Sequence, residues 1–460
     1  MYVPTEFGEL NDLNMETKEQ FIERVRQTAE EHQLVKEGDK VLLALSGGAD
    51  SIAMLIAFTA LGICCEAVHC NFRLRGAESD RDEMFVRRLC QTRSVKIHVK
   101  SFDTADYAKE RGMSLEMAAR ELRYAYFDEL LRDWRLDKVA VAHHREDNAE
   151  TLLINLVRGT GLRGLSAMNY RNGSVIRPLL DVSRKDVEEF LAQNNQDFVS
   201  DSSNLETNAV RNKIRLRILP LLTEINPNII GTLNDTAARL RDAYLLYSVA
   251  IEDLKRQVCN GQRISVMRLR ELPAPKTLLY EILSPYGFTS TQSAEIYEQI
   301  DGISGKIYES EDWRLLRDRD SLVLERKGSK EVCLCSVLPL EGYVKITPLC
   351  TLHITRSFVN KEFAPPHDKN AACFDLDKIE YPITVRYAKE GDKFVPFGME
   401  GTKLVSDFLT DIKKNVFEKE RQLVVCCGGQ IAWLVGERTD NRFKIDESTK
   451  RVLMMRRLKN

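Results

Sequence analysis

The chain has 460 residues, 43% hydrophobic and 30% charged, which describes a folded soluble protein of two or three domains and excludes a disordered chain. A formal charge of −2 gives no global attraction to nucleic acid, so any RNA contact must come from local Lys and Arg patches. Eleven cysteines, some in apolar runs, fit a reducing compartment; residues 1–14 lack the basic and apolar regions of a secretory leader, and no run of about 18 apolar residues occurs, so a cytoplasmic protein with no membrane partner is expected.

Phe21, Ile22, Val25 and Ala29 fall at helical spacing and predict a helix over 17–32. The aliphatic run 41–45 then reads as a buried parallel strand, followed by Ser46-Gly47-Gly48-Ala49-Asp50-Ser51 and an apolar helix beginning at Ser51. Glycines let a backbone approach a ligand closely, and a helix N-terminus offers unpaired N–H groups and a positive dipole end, so this turn is a phosphate cradle. It is not a Walker P-loop, which needs Gly-x-x-x-x-Gly-Lys-Ser/Thr; the nearest approach, Gly302 to Ile307, has the wrong spacing and reads as a surface turn.

Strands are predicted at 65–70, 95–99, 138–142 and 175–176, with helices at 79–89 (Ser79 as N-cap), 114–131 and 147–157 between them. This alternation predicts an α/β fold: a doubly wound, Rossmann-like parallel sheet over 1–220, with ligands at the carboxyl ends of its strands. Helices at 183–193, 210–222 and 229–254 follow. Residues 221–330 are expected to form a mainly helical domain, 331–379 a connecting segment, and 380–460 a small α+β domain with a hairpin at Gly428-Gly429.

Directly after the 138–142 strand comes His143-His144-Arg145-Glu146-Asp147-Asn148-Ala149-Glu150-Thr151, on the same rim as the phosphate cradle. Asp147 and Glu150 share a helix face and can hold magnesium or act as a base; the plain alternative is an N-cap and a solvated first-turn acid. The two histidines lack a third zinc ligand at metal spacing. Gly159-Thr160-Gly161-Leu162-Arg163-Gly164 matches the dinucleotide fingerprint but follows a predicted helix instead of a strand, so it reads as a mobile glycine loop presenting Arg158 and Arg163 to the rim. Basic residues cluster at Arg211, Lys213, Arg215 and Arg217, beside Asn208 and Asn212, and again at Lys450, Arg451, Arg456, Arg457 and Lys459.

The Ser46 to Ser51 turn resembles the pyrophosphate loop of the N-type ATP pyrophosphatases. Together with residues 114–124, 143–151, 158–165 and 211–215, and a C-terminal pattern that includes Arg386, Asp392, Gly398 and Asp407, the chain resembles the long form of the tRNA(Ile)-lysidine synthetases. It departs from that family at Asn71-Phe72-Arg73-Leu74-Arg75, where His-Gly-Leu-Arg is usual, at Ala167, where a glycine is usual, and at Lys403-Leu404. The resemblance implies ligation of free L-lysine to C2 of the wobble cytidine of a CAU-anticodon isoleucine tRNA, through an adenylated base, with release of AMP and pyrophosphate. ATP would bind at Ser46, Gly47, Gly48, Ala49, Asp50 and Ser51, and Mg2+ at Asp50 and Asp147. Glu150, Asp147 or His143 would deprotonate the amine, Arg120 or Arg123 would stabilise phosphate, and Arg158, Arg163, Arg211 and Arg215 would meet the tRNA. A homodimer is compatible with this reading. The rivals are a thiolase of the same fold, for which no Cys-x-x-Cys pair is present, an amidating ligase of small molecules, and a non-catalytic RNA-binding protein.

Overall fold

The computed structural model describes residues 17–199, 210–328, 333, 336–360, 363–366 and 368–459; the reading of 1–14 and the residue Asn208 lie outside them. The chain divides into two compact units, residues 1–248 and 249–460.

The first unit follows the predicted alternation: α1 (Lys18–Glu31), β1 (Val41–Ala44), α2 (Ala49–Ala60), β2 (Cys65–Asn71), α3 (Ala77–Thr92), β3 (Ile97–Ser101), α4 (Thr104–Arg111), α5 (Leu115–Asp133), β4 (Lys138–Ala140), α6 (Arg145–Arg158), α7 (Leu162–Leu165), β5 (Arg171–Asn172), β6 (Val175–Ile176) and α8 (Arg184–Gln193). The sheet order is β3-β2-β1-β4-β6-β5, parallel except for the β5–β6 pair. The strand period of two sorts side chains between faces. Val41 and Leu43 join α1, α2, α3 and α8 in one core, whereas Leu42 packs with Phe127 and Leu130 of α5 on the other. The sheet is therefore covered on both sides, and β1 lies at its centre with its carboxyl end open to a ligand.

Helix starts differ from expectation where a polar side chain caps from inside the helix. The helices read at 114–131 and 183–193 form as α5 and α8, each capped by its first predicted residue, Ser114 and Ser183. Ser79, predicted to open α3, instead lies within its first turn, where its hydroxyl accepts from the backbone N–H of Arg75 at 3.3 Å, and Gly76 stands at the cap with φ +53°. Asp147 likewise lies inside α6 and accepts the backbone N–H of the cap residue His144 at 3.2 Å. Two positions where the resembling family carries glycine have left-handed backbone here: Arg73, the residue before Leu74, and Ala167, both at φ +53°.

The 221–330 stretch is mainly helical as expected, with helices Ile229–Val258, Val266–Glu271, Pro275–Leu283 and Ser290–Glu298, and it adds a five-stranded antiparallel sheet of short strands. The 331–379 segment, expected as a connection, supplies strands Gly342–Thr347, Cys350–Phe358 and Ala371–Asp375 to a sheet completed by Arg451–Lys459, which pairs on both edges. Gly342–Thr347 and Cys350–Phe358 form a local hairpin, whereas the pairing of the sheet with Arg451–Lys459 joins residues far apart in the chain and leaves no local mark in the sequence. The hairpin at Gly428-Gly429 forms as predicted between Leu423–Cys427 and Gln430–Leu434, with both glycines at positive φ.

Candidate active site

Beyond β1 the chain turns through Ser46 and Gly47 into α2. Gly47 has φ +95°, a backbone conformation that favours glycine, while a Cβ there would only touch Val86 at 3.4 Å and Val199 at 3.6 Å. Gly48 caps α2 without a side-chain bond, which leaves the first amides of the helix facing the end of the strand. Ser46 Oγ accepts from the Gly48 N–H and lies 3.3 Å from Ser51 Oγ, and Ser51 donates to the Gly48 carbonyl at 2.9 Å. The two hydroxyls thus brace the loop through bonds that phosphate oxygens can replace.

Beside this loop a cleft of about 230 Å³ opens at the carboxyl ends of β1, β2 and β4. Ser46, Asp50, Ser51, Arg120, Arg123 and His143 form its polar side; Leu45, Val68, Phe72 and Phe127 form an apolar wall suited to a planar base. Arg120 lies 5.0 Å from the Tyr124 ring centre and Arg123 5.3 Å from that of Phe72, so aromatic faces hold both cations at the rim.

Asp50 is half-enclosed. Its Oδ2 accepts from Arg184 at 2.6 Å, while buried Oδ1 receives no hydrogen bond among the described residues. Burial raises its carboxyl above the usual range despite His144 and Arg184 nearby. His144, 6% exposed, contacts three carboxylates: Nδ1 lies 2.8 Å from Glu146, and Nε2 lies 3.4 Å from Asp147 and 3.9 Å from Asp50. Burial works against its charge, but the Glu146 bond with Asp147 and Asp50 outweighs it and raises the imidazole. Burial also opposes ionisation of Asp147; His144, His143 and Arg215 prevail and hold it low.

The convergence of Asp50 and Asp147 on one histidine nitrogen, with Asp50 Oδ1 unsatisfied, fits a magnesium ion. The described residues contain no group of three or more protein ligands for a metal, so phosphate and water oxygens would complete its shell, as Mg2+ commonly requires.

Glu150 differs from the expectation of a general base. It is fully buried, does not line the cleft, and gives both oxygens to Arg215 at 2.6 and 3.0 Å, with Arg211 3.6 Å away. Burial raises its carboxyl, and the bidentate bond to Arg215 only partly counters this. Its work is to carry the 211–217 segment against α6; Arg211 also donates to Thr151 at 3.0 Å, and Arg215 enters from a π-helical turn, Ile214–Ile218. His143 also departs from a base. Its Nδ1 accepts from Arg177 Nε at 3.2 Å, and burial pushes the imidazole down to about 4, so it is neutral.

Of the arginines expected at the rim, Arg120, Arg123, Arg211 and Arg215 are brought to α6 or the cleft. Arg158 ends α6, about 17 Å along the helix from its N-terminal carboxylates, and neither it nor Arg163 lines the cleft. Gly159 terminates that helix at φ +72°, so the glycine run is a helix C-cap; its backbone is tied by Asn155 to Gly164 at 2.7 Å. Sequence reasoning missed Arg177, Arg184, His144 and Glu146. Arg177 had a signal, a charge inside the apolar run Ile176 to Leu180; Arg184, at the start of an ordinary capped helix, had none.

Comparison with known proteins agrees with this layout. A PP-loop domain matches residues 17–222, a TilS substrate binding domain residues 258–327, and a B3/4 domain residues 366–458. The chain is 45% identical to the tRNA(Ile)-lysidine synthase of Bacteroides thetaiotaomicron, covering 94% of this chain and 98% of that one. It is 45% identical to that of Parabacteroides distasonis (94% and 99% covered) and 41% identical to that of Porphyromonas gingivalis (92% and 95%). No helix among the described residues is long and apolar enough to cross a membrane.

Proposed function

Because the chain belongs to the tRNA(Ile)-lysidine synthase family, we propose that it ligates free L-lysine to C2 of the wobble cytidine of a CAU-anticodon isoleucine tRNA at the expense of ATP. The observation that supports this reading most is the cleft itself. A phosphate cradle at the N-terminus of α2, an apolar wall for a base and Asp50, which shares His144 with Glu146 and Asp147, meet at the end of β1.

The C2 carbonyl of cytosine is a poor electrophile. Its oxygen attacks the α-phosphorus of ATP and pyrophosphate leaves; the lysine ε-amine then adds to C2 and expels AMP. In the first step the amides of Gly47 to Asp50 and the Ser46 and Ser51 hydroxyls hold the departing pyrophosphate, and Arg120 and Arg123 balance charge on the transferred group. Magnesium held by Asp50 and Asp147 would neutralise phosphate charge. Lysine has a reference pKa of about 10.4, so offering a neutral amine near pH 7 costs roughly 4–5 kcal/mol. Asp50, whose Oδ1 receives no hydrogen bond among the described residues and whose carboxyl is raised by burial, is the carboxylate on the cleft that would take that proton once pyrophosphate has left. A wobble nucleotide is single-stranded and can be splayed into the cleft without breaking a duplex. The second unit, with Arg211 from the first, would hold the rest of the tRNA.

The reading is tested by incubating enzyme, α-labelled ATP and CAU-anticodon isoleucine tRNA without lysine. Label is expected to accumulate on the tRNA and to be released as AMP when lysine is added. Release of AMP with no tRNA-bound label at any stage would oppose it.

A further inference from the structure

Arg177 follows β6 and is 8% exposed, yet the nearby carboxylates pair with other groups: Asp50, on the cleft, with Arg184, and Glu150, buried behind it, with Arg215. Its guanidinium donates instead to two neutral acceptors, His143 Nδ1 at 3.2 Å through Nε and the Asn169 carbonyl at 2.7 Å through Nη1. Burial lowers its affinity for a proton, but a guanidinium remains charged and can only donate. A charge buried this way is costly, and such groups concentrate where geometry must be fixed.

The consequence lies on the histidine. An imidazole nitrogen that accepts a hydrogen bond carries no proton, so a neutral ring must carry its proton on the other nitrogen. His143 lines the cleft beside Ser46, Asp50 and Arg120, and no hydrogen bond reaches its Nε2 among the described residues. We infer that Arg177 is a positioning residue that locks His143 as the neutral Nε2–H tautomer, so that His143 serves the ligation as a hydrogen-bond donor to a phosphoryl oxygen in the cleft and not as a proton acceptor.

This rests on the proposed adenylation. When cytosine O2 attacks phosphorus and the bond to pyrophosphate breaks, negative charge spreads over the non-bridging oxygens, and a fixed N–H there is worth most in the transition state. No proton is transferred from His143, so the ring is unchanged after turnover. The charged and titratable neighbours that act on the ring are Asp147, His144, Arg177 and Arg211; Asp147 favours the imidazolium and the other three oppose it.

The test is a long-range proton–nitrogen correlation spectrum of the full-length enzyme with 15N-labelled histidine, the His143 signals being assigned by their loss in His143→Gln. In the wild type at pH 7.5, Nδ1 is expected at the shift of an unprotonated nitrogen and Nε2 at that of a protonated one. In Arg177→Met the two shifts should move toward each other as both tautomers are populated, and pyrophosphate release on tRNA should slow about tenfold or more with KM for ATP changed by less than about threefold. Arg177→Lys, which keeps a donor, should recover the wild-type pattern and part of the rate. An imidazolium or an Nδ1–H tautomer in the wild type would overturn the inference. So would an unchanged His143 spectrum in a slow Arg177→Met enzyme. The spectrum requires no tRNA: a correct tautomer in an enzyme that releases no pyrophosphate would sink the proposed function and leave this assignment standing.

Discussion

Deleting the Glu150 carboxylate is expected to damage stability before it damages chemistry. In Glu150→Ala, Arg215 loses two hydrogen bonds of 2.6 and 3.0 Å, and Arg211 loses a carboxylate 3.6 Å away, both facing a fully buried site. Removing one partner of a buried pair costs about 3–5 kcal/mol. Arg215 is a third exposed and retains Asp147 at 3.3 Å, which places the loss near the lower end, about 3 kcal/mol. For a unit of 248 residues, at roughly 2–4 °C per kcal/mol, the first transition of the full-length protein should fall by about 6–12 °C in calorimetry. Glu150→Met combined with Arg215→Met leaves no orphaned partner in that pair and should cost only about 0–2 kcal/mol, so the double-mutant cycle should show strong coupling. A Glu150→Ala protein that loses less than about 1 kcal/mol, or a double variant as unstable as the sum of its singles, would refute the assignment of Glu150 to structure.

Asp50→Asn should abolish pyrophosphate release while melting at or above the wild-type temperature. Because the folded-state carboxyl is raised, the wild type loses stability as pH rises through that value, and the gain of the variant should be present at pH 7.5 and vanish toward pH 4; a lower melting temperature at pH 7.5 would contradict this. Ala167→Gly relieves a left-handed alanine at about 1–2 kcal/mol against a glycine entropy cost of about 0.5–1 kcal/mol, so chemical denaturation should show a small gain, and a loss would show that the turn is not strained. In the C-terminal sheet Arg451 is already paired with Asp377, whereas Lys450 and Arg456 are exposed; neutralising those two should reduce the salt dependence of tRNA affinity by about one to two units of slope, with ATP affinity unchanged. An unchanged slope would make that face merely solvated.

Local pattern carried the α/β unit. The aliphatic run of β1, the glycines after it and the helices read at 114–131 and 183–193 state their roles within a few residues, and the structure places them as read. The roles of Asp147, Glu150 and His143 could not be read that way, because each is set by a partner distant in sequence. Arg215 takes both oxygens of Glu150 from 65 positions away, and Arg177 fixes His143 from 34. Spacing put these groups on one rim, but only the contacts separate a carboxylate that holds the fold from one that faces substrate. The sheet in the 331–379 stretch was not readable for the same reason, since Cys350–Phe358 and Ala371–Asp375 pair with Arg451–Lys459.

The most direct measurement is mass analysis of the wobble nucleoside after incubating the full chain with ATP, magnesium, 15N-labelled lysine and CAU-anticodon isoleucine tRNA. The expected product is a cytidine enlarged by one labelled lysine less one water, formed with one AMP and one pyrophosphate. An unmodified or sulfur-bearing nucleoside, or label at any other position of the tRNA, would contradict it.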